Sequence, residues 1–496
     1  MRSKRVESRR ASASRTQFRL LPLAAAVAFC GGNAAAATIA VNDLSDDSVP
    51  GKCTLADAVA AINSASAVNG CIAGNGSSDT IDLSFFTAAT TISFVNPTAA
   101  DRLSAIAFTK PATITGPVGS DGKPLVTIER NVDAGLYFRV IATSADLTIQ
   151  NTIVTGGYAS ERGIGVYASG HANLTITNSV VSNNKIAGPG TYSGGGIASQ
   201  YGNITLSNST VSGNFANNNG GGIYALHEGA ITLNNSTVSG NHADYSGGGI
   251  YSFNGSVTVN SSTVSGNKVF KSYYYNGVFQ PEGGFSGGGI NVYQTLHMTN
   301  STVTGNYSRL GSAGVYVGGA FYGGRPGGHP RRAHPAVSPY LTGNTFLYFS
   351  TISGNYGNPN FQLTDGILAG NYLKAIGNIV TGNEFGDMQL SFPGVHFIGS
   401  NNIIGSPPPQ APADTRDCDP MLGPLGDYGG PTQTLPLLEG SCAIDTGPLV
   451  LPDGITTDQR GLPRPVNTIS DVGAVEKQGA NDPPDFIFQD GFEASG

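Results

Sequence analysis

The densest set of residues able to do chemistry lies near the C-terminus: Asp445, Asp458, Arg460, Asp471 and Glu476. Carboxylates beside a guanidinium can hold a hard cation, exchange protons with a substrate, or fasten loops. Loop fastening is the reading adopted; no cofactor is expected, although a structural Ca²⁺ is left open at this cluster. His329 and His334, in GGRPGGHPRRAHP, have Arg neighbours and no nearby Cys or carboxylate to complete a ligand set, so a surface loop is expected there. Four cysteines lie beyond the N-terminal segment, Cys53 with Cys71 and Cys418 with Cys442, separated by 18 and 24 residues. The CxxC spacing of zinc sites is absent, which favours two local disulfides over a four-cysteine metal centre. Between Asn178 and Asn306 the charged residues are only Lys185, Glu228, Asp244, Lys268, Lys271 and Glu282. Any site there must be built from aromatic and polar side chains rather than from carboxylates.

What would position such a site is a repeat. The heptad NSTVSGN at Asn208–Asn214 recurs at Asn235–Asn241, and close copies end at Asn267, Asn306 and Asn355. Its central aliphatic residue falls at Val154, Val181, Val211, Val238, Val264, Val303, Ile352 and Val380, at intervals of 27, 30, 27, 26, 39, 49 and 28. A second signal, GGGI, ends at Ile197, Ile223, Ile250 and Ile290, and alternating runs such as NITLSN and AITLNN lie between the two. Periods of this length mean a solenoid or an array. The Val, Ile and Thr content with period-2 alternation excludes a helical repeat. Three short strands per period predict one rung of a parallel β-helix, with Ile231, Leu233 and Val238 stacked on Ile204, Leu206 and Val211. In TVSGN the Val points inward, the hydroxyls outward, Gly allows the positive φ of a corner, and Asn can pair its amide with the Asn of the next rung. The N-x-[ST] matches at Asn208, Asn235 and Asn300 follow from the repeat itself and are weak evidence of glycosylation.

The fold class expected is therefore all-β: a right-handed parallel β-helix with an N-terminal capping helix, the hand following the rule for parallel crossovers. CTLADAVAAIN, Cys53–Asn63, places Leu55, Ala58, Val59 and Ile62 on one helical face, and Thr54 with Asp57 forms a capping box. The organisation read from the chain is a signal peptide at 1–37, the cap and first irregular rungs at 38–145, and regular rungs at 146–405. A Pro-rich linker at 406–416, a C-terminal module at 417–476 and a tail at 477–496 complete it.

The first residues carry seven basic side chains and one acid before the short apolar run LLPLAAAVAFC, the pattern of an export signal. Removing it from 26 basic and 33 acidic residues leaves 19 and 32, a net charge of −13. That balance argues against binding nucleic acid. The apolar run is too short to span a bilayer, so the mature chain is not read as an integral membrane protein. An exported monomer is expected, at the cell surface or outside the cell, with the periplasm left open.

CTLADAVAAIN resembles the CSLREA-type N-terminal module of exported bacterial β-helix proteins; Cys53, Leu55 and Ala58 match, Asp57 stands where Glu is usual, and Ala56 replaces Arg. MLGPLGDYGGPTQTLPLLEGSCAIDTG at Met421–Gly447, TDQRGLPRP at Thr457–Pro465 and DVGAVE at Asp471–Glu476 resemble the choice-of-anchor Q module of surface-directed bacterial β-helix proteins. Cys442 stands where that module has Pro, consistent with a local bridge to Cys418. These resemblances imply a structural or adhesive surface protein with a polysaccharide or cell-surface partner. The alternative is a secreted polysaccharide lyase or glycoside hydrolase. Against it, the regular rungs hold no pair of acids at matching positions and no GHG or RIK run, so an enzyme is not favoured. Insertions at 268–285 and 307–346 are expected to open at one corner, after the heptad and before the glycine cluster. With Tyr192 and Phe215 they would form an aromatic edge, and Tyr245, Tyr273, Tyr274, Tyr275 and Phe279 are the candidate ligand contacts.

Overall fold

Alternation decides which side chains fill this molecule. In each ITLS-type run the first and third residues are buried and the second and fourth half-buried, as at Ile204–Ser207, Ile231–Asn234 and Val257–Asn260. Stacking these runs in parallel sets Ile204 against Ile231 and Val257, and Leu206 against Leu233 and Val259. The computed structural model describes residues 35–188, 192–270, 274–275, 278–279, 287–309, 311–318, 343–359, 364–370, 372–390, 394–452 and 454–479. His329, His334, Lys271, Glu282, Tyr273, the signal up to residue 34 and the tail from residue 480 lie outside them. Contacts divide the chain into Met1–Ala35 and Ala36–Gly496, and every described strand and helix belongs to the second unit.

Among the described residues four parallel sheets, of 12, 11, 10 and 7 strands, form a right-handed β-helix. The long sheet holds the ITLS-type runs, from Thr38–Ala40 to His396–Ser400. The heptad sheet holds the TVS strands, from Thr90–Phe94 to Ile403–Ile404, and keeps Val211, Val238, Val264, Val303 and Ile352 in register. The glycine sheet follows the GGGI signals, from Ser104–Phe108 to Met388–Leu390. The short sheet was not foreseen. Its strands are two residues long, from Tyr158–Ala159 to Tyr356–Gly357, and sit between the heptad and glycine sheets. Two residues are too few to display a period; each strand's only mark is an inward Ala, Ile, Val, Ser or Gly after an outward residue.

The heptad spells one strand and both of its corners. Its first Asn is a single left-handed residue, with φ of 50°, 49° and 47° at Asn208, Asn235 and Asn300, a conformation Asn adopts at low cost. The Ser that follows is buried and accepts from the Ser amide one rung earlier, as Ser209 N donates to Ser236 Oγ at 3.2 Å and Ser236 N to Ser262 Oγ at 3.0 Å. After Thr, Val and Ser comes Gly at φ near 63° (Gly240, Gly266, Gly305). The last Asn is fully buried. Asn214, Asn241, Asn267, Asn306, Asn355 and Asn383 form a ladder in which each amide donates to the next Oδ1 at 2.9–3.0 Å. Asp387 closes it, accepting from both the backbone and the side chain of Asn383 with one oxygen.

The cap forms as expected. Helix α1 spans Leu55–Ser64, Thr54 Oγ1 accepts from Asp57 N at 3.2 Å and donates to Asp57 Oδ2 at 3.0 Å, and the apolar face is buried. Cys53 is bonded to Cys71 and Cys418 to Cys442.

Two expectations are corrected. The second insertion opens at a different corner: Tyr307–Ser308 and Val315–Val317 are regular short-sheet and glycine-sheet strands, so the extra chain lies between Val317 and Asn344, before the long sheet. Ser312–Val315, SAGV, does the work of GGGI with one glycine, which is why the rung went unseen. Residues 417–476 are not set apart by a linker. They run back as a strap over the outer face of the heptad sheet, where Leu437, Ala443 and Val472 pack on Ile379 and Ile403. Thr263 Oγ1 donates to Gln433 O, Thr302 Oγ1 to Gln459 Oε1, and Ala474 N to Thr351 Oγ1. These outward threonines are buried, whereas Thr210 and Thr237, at the same position in earlier rungs, are half-buried.

Candidate functional site: an aromatic strip on the short sheet

The short sheet alternates one inward small residue with one outward large one. The outward series is Tyr158, Lys185, Phe215, His242, Lys268, Tyr307 and Tyr356, one per rung and in register. Because parallel strands repeat every ~4.8 Å, outward rings are brought to stacking distance without further design. Phe215 and His242 have centroids 4.8 Å apart, His242 and Phe270 4.8 Å, Phe270 and Tyr307 5.3 Å, and Tyr307 and Tyr356 5.3 Å. Phe270, just past Lys268–Val269, supplies the ring where Lys268 occupies the strand position. Upstream, Lys185 Nζ lies 5.6 Å from the Phe215 ring, and Tyr137 packs on Tyr158 at 5.2 Å.

The strip is open to solvent. Phe270 is 40% and Tyr356 39% exposed, Phe215 and Tyr307 are half-buried, and Lys185 and Lys268 are exposed. His242 Nε2 sits 3.6 Å from buried Asp244. The glycine sheet has its own run of rings, with Tyr224 and Tyr251 stacked at 5.5 Å and Tyr293 and Tyr316 continuing it. Tyr224, Tyr251 and Tyr316 are buried, however, and burial pushes the Tyr251 hydroxyl well above its ordinary value. Those rings are packing.

The strip ends on acids. Glu384 occupies the position after Asn383 that Tyr356 occupies after Asn355, and its Oε2 accepts from Gly357 N at 3.3 Å, at the open edge of the last short-sheet strand. Asp365 lies beside Gly357 on the same edge and is buried. Burial, with the Glu384 charge adding to it, pushes its carboxyl up to about 7. Backbone N–H groups of Phe385, Gly357 and Ala313 oppose that rise, so both carboxylates serve to satisfy a sheet edge.

Of the sequence candidates, Tyr245 is half-buried just beyond the His242–Ala243 strand, where its N–H donates to Asn218 O. Tyr274–Tyr275 and Val278–Phe279 form an antiparallel ribbon, with Tyr274 opposite Phe279; their side chains lie outside the described residues. Phe215 was placed on the expected aromatic edge, Phe270 and Tyr307 fell within its insertions without being singled out, and His242 and Tyr356 were missed. The signal was present: the outward residue of each short-sheet strand directly follows the heptad's final Asn, as in SGNF, SGNH, TGNY and SGNY.

The C-terminal carboxylates are committed to the strap. Asp458 is paired with Arg460 at 2.9 Å and Glu476 with Arg464 at 3.2 Å. Asp471 accepts from Asp445 N and Lys477 N, both at 2.6 Å, and Glu476 accepts from Val466 N and Asp471 N. Burial pushes Glu476 up and brings Arg464 down to about 10, with each charge opposing the other's shift. Among the described residues no group of three or more His, Cys, Asp or Glu is placed to hold a metal ion, and no helix is long and apolar enough to cross a membrane.

No family model matches the chain, and no curated protein matches it. Among solved structures the chain is similar to a crystal structure of the pectate lyase Pel9A, at 13% identity and a TM-score of 0.45, covering 89% of this chain and 97% of that one. No residue's role is carried across at that level.

Proposed function

We propose that this chain is an exported, surface-associated β-helix protein that binds a glycan chain along the short-sheet strip. The observation that carries the reading is the stack of Phe215, His242, Phe270, Tyr307 and Tyr356 at 4.8–5.3 Å, left open on one edge of a rigid scaffold. A pyranose presents an apolar C–H face that packs on an aromatic ring, and rings at a fixed repeat offer a polymer several equivalent footholds. Lys185 and Lys268 at the sides supply donors to hydroxyl or acidic substituents. The disulfides fit an oxidising compartment, in keeping with the signal-like N-terminus and the anchor-like C-terminal sequence. A glycan-array screen of the mature chain beside the double variant F270A/Y356A tests it. Binding by the parent and its loss in a variant with unchanged melting supports the reading; equal binding by both removes it.

A second reading, polysaccharide cleavage, rests on one observation. Asp365, with a carboxyl near 7 at the end of the strip, has the proton affinity a general acid or base requires. Turnover of any polysaccharide by the parent, abolished in D365N, would establish it in place of simple binding.

A further inference from the structure

A cavity of about 630 Å³ lies between α1 and the first strands of the glycine sheet, within the size range of small-molecule sites. Its walls are largely apolar, built from Ala56 and Ala60 of α1, Ile106, Ala142 and the Tyr167 ring. Arg139 lines it and is only 4% exposed. The guanidinium lies 4.7 Å from the Tyr167 ring, and its Nη2 is 3.5 Å from the half-exposed Glu161 carboxylate. Its Nε has no hydrogen-bond partner among the described residues. A buried guanidinium with an unpartnered Nε, attracted to Glu161 at 3.5 Å and to the nearby Asp101 charge, keeps room for a further acceptor, and the group that suits its planar fork is a carboxylate.

Most of the other polar groups around the cavity are already engaged with the protein. Thr98 donates to Ala105 O, Thr143 to Ala145 O, Ser144 to Phe108 O and Ser169 to Thr143 O. The Asn63 amide donates to Ala107 O while its oxygen accepts from Thr109. Asp101 accepts from Leu103 N, Ser104 N and Ser104 Oγ. A sugar, which needs many partners, finds few here, and a phosphate finds one donor group where it needs several.

We propose that this cavity is a binding site for a small monocarboxylate with an apolar body, whose carboxylate sits on Arg139 and whose body lies among the alanines of α1, Ile106 and Ala142. The site is separate from the glycan strip and stands or falls without it. Saturation-transfer NMR titrations of the intact, disulfide-bonded chain with benzoate and hexanoate, beside benzamide and hexanamide, test it. At least one acid should bind saturably and its amide at least about tenfold more weakly, because the charge-assisted bond is lost. R139Q should weaken the acid by a similar factor, and A60F, on the exposed side of α1, should block it while leaving Arg139 in place. Failure of both acids to bind, equal binding of acid and amide, or undiminished binding by a folded R139Q overturns the site. Should melting show R139Q unfolded, undiminished binding by A60F does so instead.

Discussion

At the residue scale the strongest constraint is the buried Asn ladder. Asn241 accepts from both Asn214 N and Asn214 Nδ2 and donates to Val211 O and Asn267 Oδ1, all at 2.9–3.0 Å. N241A strands donors and acceptors in two rungs and should cost about 2–4 kcal/mol, read as a lower denaturation midpoint. N241D should be worse at pH 8, because it puts a charge where Asn supplied two donors. Asp365 and Glu476, both pushed up to about 7 chiefly by burial, shape the response to pH, and Asp365 is the one that can be replaced without breaking a buried ion pair. Its folded pKa of about 7 lies above the ordinary value of 3.8, so the native chain binds a proton that the unfolded chain releases between those values. That contribution is fully present at acid pH and is lost as pH rises through 7. Melting temperature should therefore fall between pH 5 and pH 8, and D365N, which keeps an acceptor for the backbone, should flatten that slope. A slope unchanged in D365N would show that other groups govern it.

At the element scale the strap is the part whose role was least visible beforehand. Asp458, Arg460, Asp471 and Glu476 were legible as a cluster that fastens loops, and they do so. Where the strap lies was not legible, because Thr263, Thr302 and Thr351 carry the same TVS-type pattern as uncovered Thr210 and Thr237. Nothing local distinguishes a threonine facing water from one facing a later segment. The rungs were legible wherever a strand is long enough to alternate, as in ITLS, and wherever Gly or Asn must turn a corner. The short sheet was not, since two residues have no period, and its site sits one position beyond the motif that drew notice. For the strap, the double variant C418S/C442S opens a 24-residue span and should cost about 3 kcal/mol. Hydrogen exchange should then quicken over 417–476 before it does in the rungs. Uniform loss of protection across the rungs would mean that the strap and the β-helix unfold as one unit.

At the scale of the whole molecule, the β-helix is a ruler. Inward Ile, Leu and Val, buried on every rung, hold the strand repeat, and the repeat sets the spacing of whatever points outward. On the long sheet that is mostly threonine, on the heptad sheet threonine and serine, and on the short sheet aromatic rings and lysines. Shorter runs of rings occur elsewhere, His171–Tyr201–His227 and His297–Phe346–Tyr372, but among the described residues the short-sheet strip is the longest open one and can hold an extended apolar-faced ligand at several equivalent points. Such a ladder differs from a pocket in how affinity depends on ligand length. The most direct test is calorimetric titration of the parent chain with an oligosaccharide series drawn from the glycan that binds it on an array. Affinity should climb with each added sugar until the oligomer spans the strip and then level, and F270A should shorten the climb and lower the plateau by about tenfold. Affinity independent of length, or a plateau that F270A leaves unchanged in a fully folded chain, would contradict the account.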